Sequence, residues 1–236
     1  MAQVAQERRW RGRVRVAAGA GGDLLIALGV LLALFACYSL WWTDVVADRR
    51  AERAGDLLRR TWSAAAPAGR AVPPVRGAGI GFLHVPAMGR DYQVLIRLGT
   101  DEDTLAEGVA GVYTEPYPAA MPWDAQGNVA LAAHRDGHGA KFHDLDAVEP
   151  GDAVVVETRD SWYVYRVDGV LPQTSEYDTG VIAPVPVGSP YHAPGRYITL
   201  TTCTPVYTSD YRMAVWGSLV RVDPVDAVRT PPAELR

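Results

Sequence analysis

The sequence predicts an all-β domain, either a closed barrel or a sandwich, carried behind a single membrane-spanning helix. Three observations support this. From Gly79 onward, short β-branched and apolar runs alternate with turn residues, with little helical periodicity. Leu24 to Trp42 (LLIALGVLLALFACYSLWW) is a run of 19 residues without charge, long enough to cross a bilayer as a helix. Between the two, residues 64–79 (AAAPAGRAVPPVRGAG) are rich in Ala, Pro and Gly and read as a linker.

Taken in order, the chain opens on a basic cluster, Arg8, Arg9, Arg11, Arg13 and Arg15. The positive-inside rule keeps such a cluster in the cytoplasm, and Trp41-Trp42 suits the membrane interface. The expected organisation is therefore a cytoplasmic N-terminus (1–23), a transmembrane helix (24–42), a juxtamembrane stalk and linker (43–78) and an extracytoplasmic domain (79–236). A cleaved signal peptide normally has a shorter apolar core than this run. Leu34-Phe35-Ala36-Cys37 resembles a lipoprotein cleavage box, but Phe35 beside the cut fits it poorly. Val45–Ser63 has mixed charges and spaced apolar residues, as in a juxtamembrane helix, and reads as a solvated stalk.

Charge and cysteine content exclude some functions. The net charge of −4 conceals an asymmetry: 12 basic and 6 acidic residues precede Gly79, against 11 and 21 from there on. The acidic outer part disfavours nucleic acid as a partner. Cys37 and Cys203 are the only two cysteines, which excludes a disulfide framework.

Strands are expected at Ile80–Val85, Tyr92–Arg97, Asn128–Ala133, Ala153–Thr158, Trp162–Leu171, Tyr197–Cys203 and Arg212–Val222, with one short helix in Asp101–Gly108. Thr174–Pro194 shows no clear period and reads as a long loop, a common form for a binding element.

One stretch carries the chemistry. Tyr197–Cys203 (YITLTTC) puts Thr199, Thr201 and Cys203 on one strand face, with the thiol at the rim. A thiolate attacks and a free thiol titrates above neutrality, so Cys203 needs assistance. Arg212 follows an eight-residue turn; a hairpin would set it beside Cys203, where a permanent cation favours a thiolate or holds an oxyanion. The alternative for Arg212 is a surface ion pair with Asp210. Among the histidines, His134 stands out because it directly follows the apolar strand and shares a strand-end position with Cys203. His84 reads as structural, His143 and His192 as solvated, and His138 as part of a flexible Gly-flanked turn. No metal or cofactor is expected, since the residues near His134 lack a ligand spacing and one Cys alone is available outside.

TLTTC followed nine residues later by Arg, with an upstream strand ending in His, resembles the sortase transpeptidases. The resemblance runs from about Ile80 to Val222 and includes IGFLHVP, DEDTLAEGVAGVY, NVALAAHRDGHGAKFHDLD and the PGD turn at Pro150. TLTTCTPVYTSDYR is most similar to the actinobacterial, housekeeping-like E class. Three features depart from the family pattern or separate its classes. Ala133 stands where Gly is frequent before the His, Val112–Gln126 is long and Pro-rich, and the linker lacks the Asp-Pro-aromatic lid of pilin-polymerising relatives. Leu171–Ser175 (LPQTS) looks like a sorting signal, but a substrate's signal would precede an apolar span and a basic tail.

The resemblance implies an eight-stranded barrel with short helices. It further implies Cys203 as nucleophile, His134 as general acid and base, and Arg212 as stabiliser of the oxyanion or substrate carbonyl. The implied reaction cleaves an LPxTG- or LAxTG-type sorting signal between Thr and Gly and joins the Thr carboxyl to an amine. The implied partners are surface proteins bearing that signal, a cell-wall precursor amine of the lipid II type, and the membrane. Two other classes are a cell-wall cysteine peptidase or transpeptidase of another family, and a membrane-anchored binding module without activity. An L,D-transpeptidase carries its Cys in a Ser/His-x-Gly-Cys context that TLTTC does not match.

Overall fold

The structure, a computed structural model, describes residues 22–38, 42–64 and 77–236. The basic cluster and most of the Pro/Gly/Ala linker lie outside these residues. The chain forms two compact units that divide between Thr43 and Asp44. In the first, residues 22–37 form helix α1, with Leu24, Leu25, Ile26, Leu31, Leu34 and Phe35 all exposed. No helix among the described residues is long and apolar enough to cross a membrane. The expected span 24–42 includes residues 39–41, outside the described residues.

The second unit is a closed barrel of eight strands: β1 (Gly79–His84), β2 (Gln93–Leu98), β3 (Ala110–Val112), β4 (Gly127–Ala132), β5 (Ala153–Glu157), β6 (Ser161–Ser175), β7 (Arg196–Thr204) and β8 (Tyr211–Pro224). Their order around the barrel is β1-β2-β3-β4-β7-β8-β6-β5. β2–β3 and β4–β7 are parallel and the other pairs antiparallel. Closure leaves no edge to mismatch, which resolves the barrel-or-sandwich alternative. Leu83, Ile96, Leu131, Val156, Tyr165, Leu200 and Val215 fill the interior. Seven strands lie at or within a few residues of their expected positions. β3 was not foreseen, because three residues (AGV) are too short to show a period. The LPQTS stretch lies in β6, with Leu171 and Thr174 paired to β8.

The expected solvated stalk differs most from the structure. Thr43–Ala64 is a continuous helix, α2, and Ala51, Ala54, Leu58 and Trp62 pack against Phe82, Leu95 and Val109 on the barrel. The spacing 51, 54, 58, 62 makes one helical stripe, which the dense arginines around it disguised as a polar stretch.

Glu157 fastens this helix at its far end. Its carboxylate, 1% exposed, receives Arg59 of α2 at 3.1 Å, Arg229 of the C-terminal segment at 2.8 Å and His84 at 3.2 Å. Burial alone would raise its pKa, but the His84 hydrogen bond and the two guanidinium groups outweigh burial and hold it below the usual glutamate range. A depressed carboxylate contributes stability that is present above the unfolded pKa and lost as pH falls through the folded value. Glu157→Gln is expected to cost about 1–3 kcal/mol, since it removes the charge from a buried acceptor shared by two partly exposed guanidinium groups and His84. A thermal melt checks this, and the deficit should shrink when the comparison is made in acid.

Candidate active site

Three neighbouring strands, β4, β7 and β8, bring the expected site residues into one row. Cys203, next to last in β7, is in register with Arg212 of β8. β4 runs parallel to β7 with Ala132 opposite Thr201. Continuing that register puts His134 level with Cys203. Two bonds carry it past the strand end: Ala133 N–H donates to the Thr201 carbonyl at 3.3 Å, and the Thr202 hydroxyl donates to the Ala133 carbonyl at 2.8 Å. Adjacent strands lie about 5 Å apart, so imidazole, thiol and guanidinium arise side by side at one end of the barrel.

Alternation decides where these groups point. Ala133 and Met213 belong to the interior cluster, so His134, Cys203 and Arg212 belong to the outer face. On that face Ala130, Ala214 and Trp216 pack with Val181 and Ile182 from the β6–β7 loop. The loop is tied down by Asn128, whose amide donates to the carbonyls of Ile182 (3.2 Å) and Ala183 (3.0 Å), and by the Trp216 indole donating to Val181 at 2.9 Å. The small residues of this face (Ala130, Ala132, Thr199, Thr201, Ala214) are all buried, Ala130 and Ala214 beneath that loop.

His134 is half-buried, and its Nε2 makes no hydrogen bond among the described residues. Burial is the first cause lowering its pKa and the neighbouring His138 the second; Glu102 and Asp136 pull the other way without prevailing. The imidazole is therefore neutral at neutral pH and able to accept a proton. Arg212 donates to the carbonyls of Ser209 (2.7 Å) and Tyr211 (3.0 Å), and its Nη2 lies 3.3 Å from Glu176. The surface ion pair considered with Asp210 is thus formed with Glu176 instead. β6 pairs Ser175 with Tyr211 and Thr174 with Arg212, which carries the next residue, Glu176, over the guanidinium.

Two supporting residues were missed from sequence. Arg135, next to His134, is 4% exposed and pairs with Asp146 at 2.8 Å. It donates to the Thr204 hydroxyl at 3.0 Å and reaches the Cys203 carbonyl at 3.5 Å, bracing the end of β7. Nothing in a lone Arg after a strand announces burial. Tyr113 hydrogen-bonds the Thr201 hydroxyl at 2.9 Å, and burial raises its pKa, so it stays a neutral phenol on the floor beside the thiol. Asp136 accepts from the Tyr207 backbone at 2.6 Å and so ties the β7–β8 turn to the segment after β4.

Of the other histidines, His138 alone, among the described residues, lies in ring contact with His134. His84 is bound to Glu157. The His143 side chain is 43% exposed, as expected of a solvated residue, and its Nδ1 meets the Arg135 carbonyl at 2.9 Å. His138 lies 5.2 Å from His134 ring to ring.

Residues 83–220 match the family described as Sortase domain. Sortase SrtE2 of Streptomyces coelicolor is 51% identical over 235 residues, covering 97% of this chain and 92% of that protein. Sortase SrtE1 of the same organism is 42% identical, covering 90% of this chain and 60% of its own length. Among solved structures, sortase E1 from Streptomyces coelicolor with a tripeptide in its active site aligns with a TM-score of 0.64 at 42% identity, over 69% of this chain and 99% of that one. Sortase E from Streptomyces avermitilis aligns with a TM-score of 0.61 at 33% identity, with the same coverage. Barrel topology, strand-end thiol and sequence kinship agree: the chain belongs to the sortase family of cysteine transpeptidases and is most like its E class.

Proposed function

We propose that Cys203 is the nucleophile, His134 the general acid and base, and Arg212 the oxyanion stabiliser of a reaction on LPxTG- or LAxTG-type sorting signals. The observation that carries this reading is the row itself: His134, Cys203 and Arg212 level on adjacent strands, at one end of the barrel. His134 takes the proton of the Cys203 thiol as the sulfur attacks the Thr carbonyl, and the tetrahedral oxyanion is held by the Arg212 guanidinium. His134, protonated in that step, gives its proton to the leaving Gly amine, and the peptide bond breaks to leave a thioester. An incoming amine, of the cell-wall precursor type, then loses a proton to His134 and displaces the thiolate. Atoms balance: one amide is exchanged for another and the thiol is regenerated.

Incubating the protein with a panel of signal peptides and a small amine, followed by mass spectrometry, tests this. The expected product is a new amide at the Thr carboxyl. Cleavage at another bond, or none across the panel, would sink the proposal.

The same reading places the protein at the cell membrane, with α1 and its flanks as a single anchor and the barrel outside. Its support is the uncharged run 24–42 and a helix apolar all round. Protease added to protoplasts is expected to remove the barrel and spare the N-terminus. A secreted form beginning after Trp42 would contradict the anchor.

A further inference from the structure

The turn that follows His134 cannot hold its shape alone. Gly137, His138, Gly139 and Ala140 are consecutive residues with positive φ (62°, 50°, 79° and 39°). Single residues visit this region; a run of four, two of them not glycine, persists only where the surroundings impose it.

Two carboxylates of α2 supply that constraint. Asp44 accepts a hydrogen bond from the Gly139 backbone at 2.8 Å, and Asp48 pairs with Lys141 at 2.6 Å. Asp48 sits so close that a Cβ on Gly139 would lie 2.8 Å from its Oδ1. Asp44 and Asp48 are one helical turn apart and so face the turn together. On the other side, Phe142 is fully buried and its N–H returns to the His134 carbonyl at 2.9 Å. His138 is thereby fixed with its ring 5.2 Å from His134.

We propose that α2 is a positioning element of the active site: Asp44 and Asp48 hold the 137–141 turn, and the turn holds His138 against His134. In sequence, α2 follows the apolar run directly, so the segment that would leave the membrane is also the one that sets the general base. The inference rests on the catalytic reading of His134 for its effect on turnover, but not for its effect on the imidazole itself. The charged and titratable groups that bear on His134 are His138 and Asp136 on its own segment and Glu102 at the start of helix α3 (Glu102–Leu105), while Cys203 and Arg212 follow on the next two strands.

The test is titration of His134 by NMR in the full-length chain, carrying histidine labelled in the ring, for the parent and for Asp44→Asn/Asp48→Asn. Release of the turn takes His138 away and admits water, so the His134 pKa is expected to rise towards the ordinary imidazole value. Loss of the two negative charges acting through space alone would instead lower it, because Lys141 is left unpaired. The sign therefore decides: a rise supports positioning, and no change or a fall overturns it. Asp56→Asn, on an exposed part of the same helix, is expected to leave the titration unchanged; an equal rise in that variant would also overturn the proposal. The acid limb of kcat/KM should move with the titration. Turnover should fall by about tenfold or more, since displacing a catalytic group by about 1 Å costs on the order of a hundredfold. If the titration moves and turnover does not, the positioning stands and the catalytic role of His134 fails.

Discussion

Cys203→Ala is expected to abolish both peptide cleavage and amine transfer while leaving the fold untouched. The thiol is half-exposed at a strand end, where its loss opens no cavity and changes stability by no more than about 0.5 kcal/mol. Its backbone pairing with Arg212 does not need the side chain. On the proposed mechanism the acyl group is carried on the Cys203 sulfur, so its removal leaves no acyl-enzyme. Cys37→Ala should alter neither rate nor melting temperature. Cleavage above a trace in Cys203→Ala, with normal melting, would mean that water is activated directly and that the covalent route is wrong.

Arg212 should show the second largest effect, and there two explanations differ in what they predict. As a guanidinium fork aimed at the developing oxyanion, Arg212→Ala should lower kcat by about a hundredfold, roughly 3 kcal/mol at the barrier. Arg212→Lys should recover little of this, because an ammonium is a point charge on a flexible stem. Peptide binding should weaken less than turnover, since the contact strengthens as charge develops. As a surface ion pair with Glu176, 30% and 40% exposed, the residue would give a stability loss of about 1 kcal/mol or less and near-normal rates. The pair also suggests a control: Glu176→Gln frees the guanidinium without removing it, so kcat should not collapse. Steady-state kinetics beside thermal melts on these variants separate the explanations. A fully active Arg212→Lys would leave only a requirement for positive charge.

How far the sequence revealed these features depended on whether the signal was local. YITLTTC and the Arg212 strand are contiguous, period-two segments joined by a short turn, so their pairing could be anticipated, and the register agrees. His134 was legible because a polar residue ending an apolar strand is conspicuous. Arg135 was not, because its burial depends on Asp146 and on the Thr204 hydroxyl, far along the chain. Glu157 was likewise invisible: the guanidinium groups of Arg59 and Arg229 and the imidazole of His84 meet on it, and no local pattern signals such convergence. The role of α2 was misread for a related reason. Its apolar stripe is narrow, and only the barrel shows that Phe82, Leu95 and Val109 receive it. β3 escaped because three residues make no period.

The central claim is that the acyl group passes through Cys203, and mass spectrometry of the trapped adduct tests it most directly. The protein is incubated with a sorting-signal peptide without added amine, quenched in acid, digested and mapped. The account predicts an adduct equal to the peptide up to its Thr residue, joined to Cys203 as a thioester and discharged when an amine is added. An adduct on another residue, or amide product formed with Cys203 unmodified throughout, would contradict it.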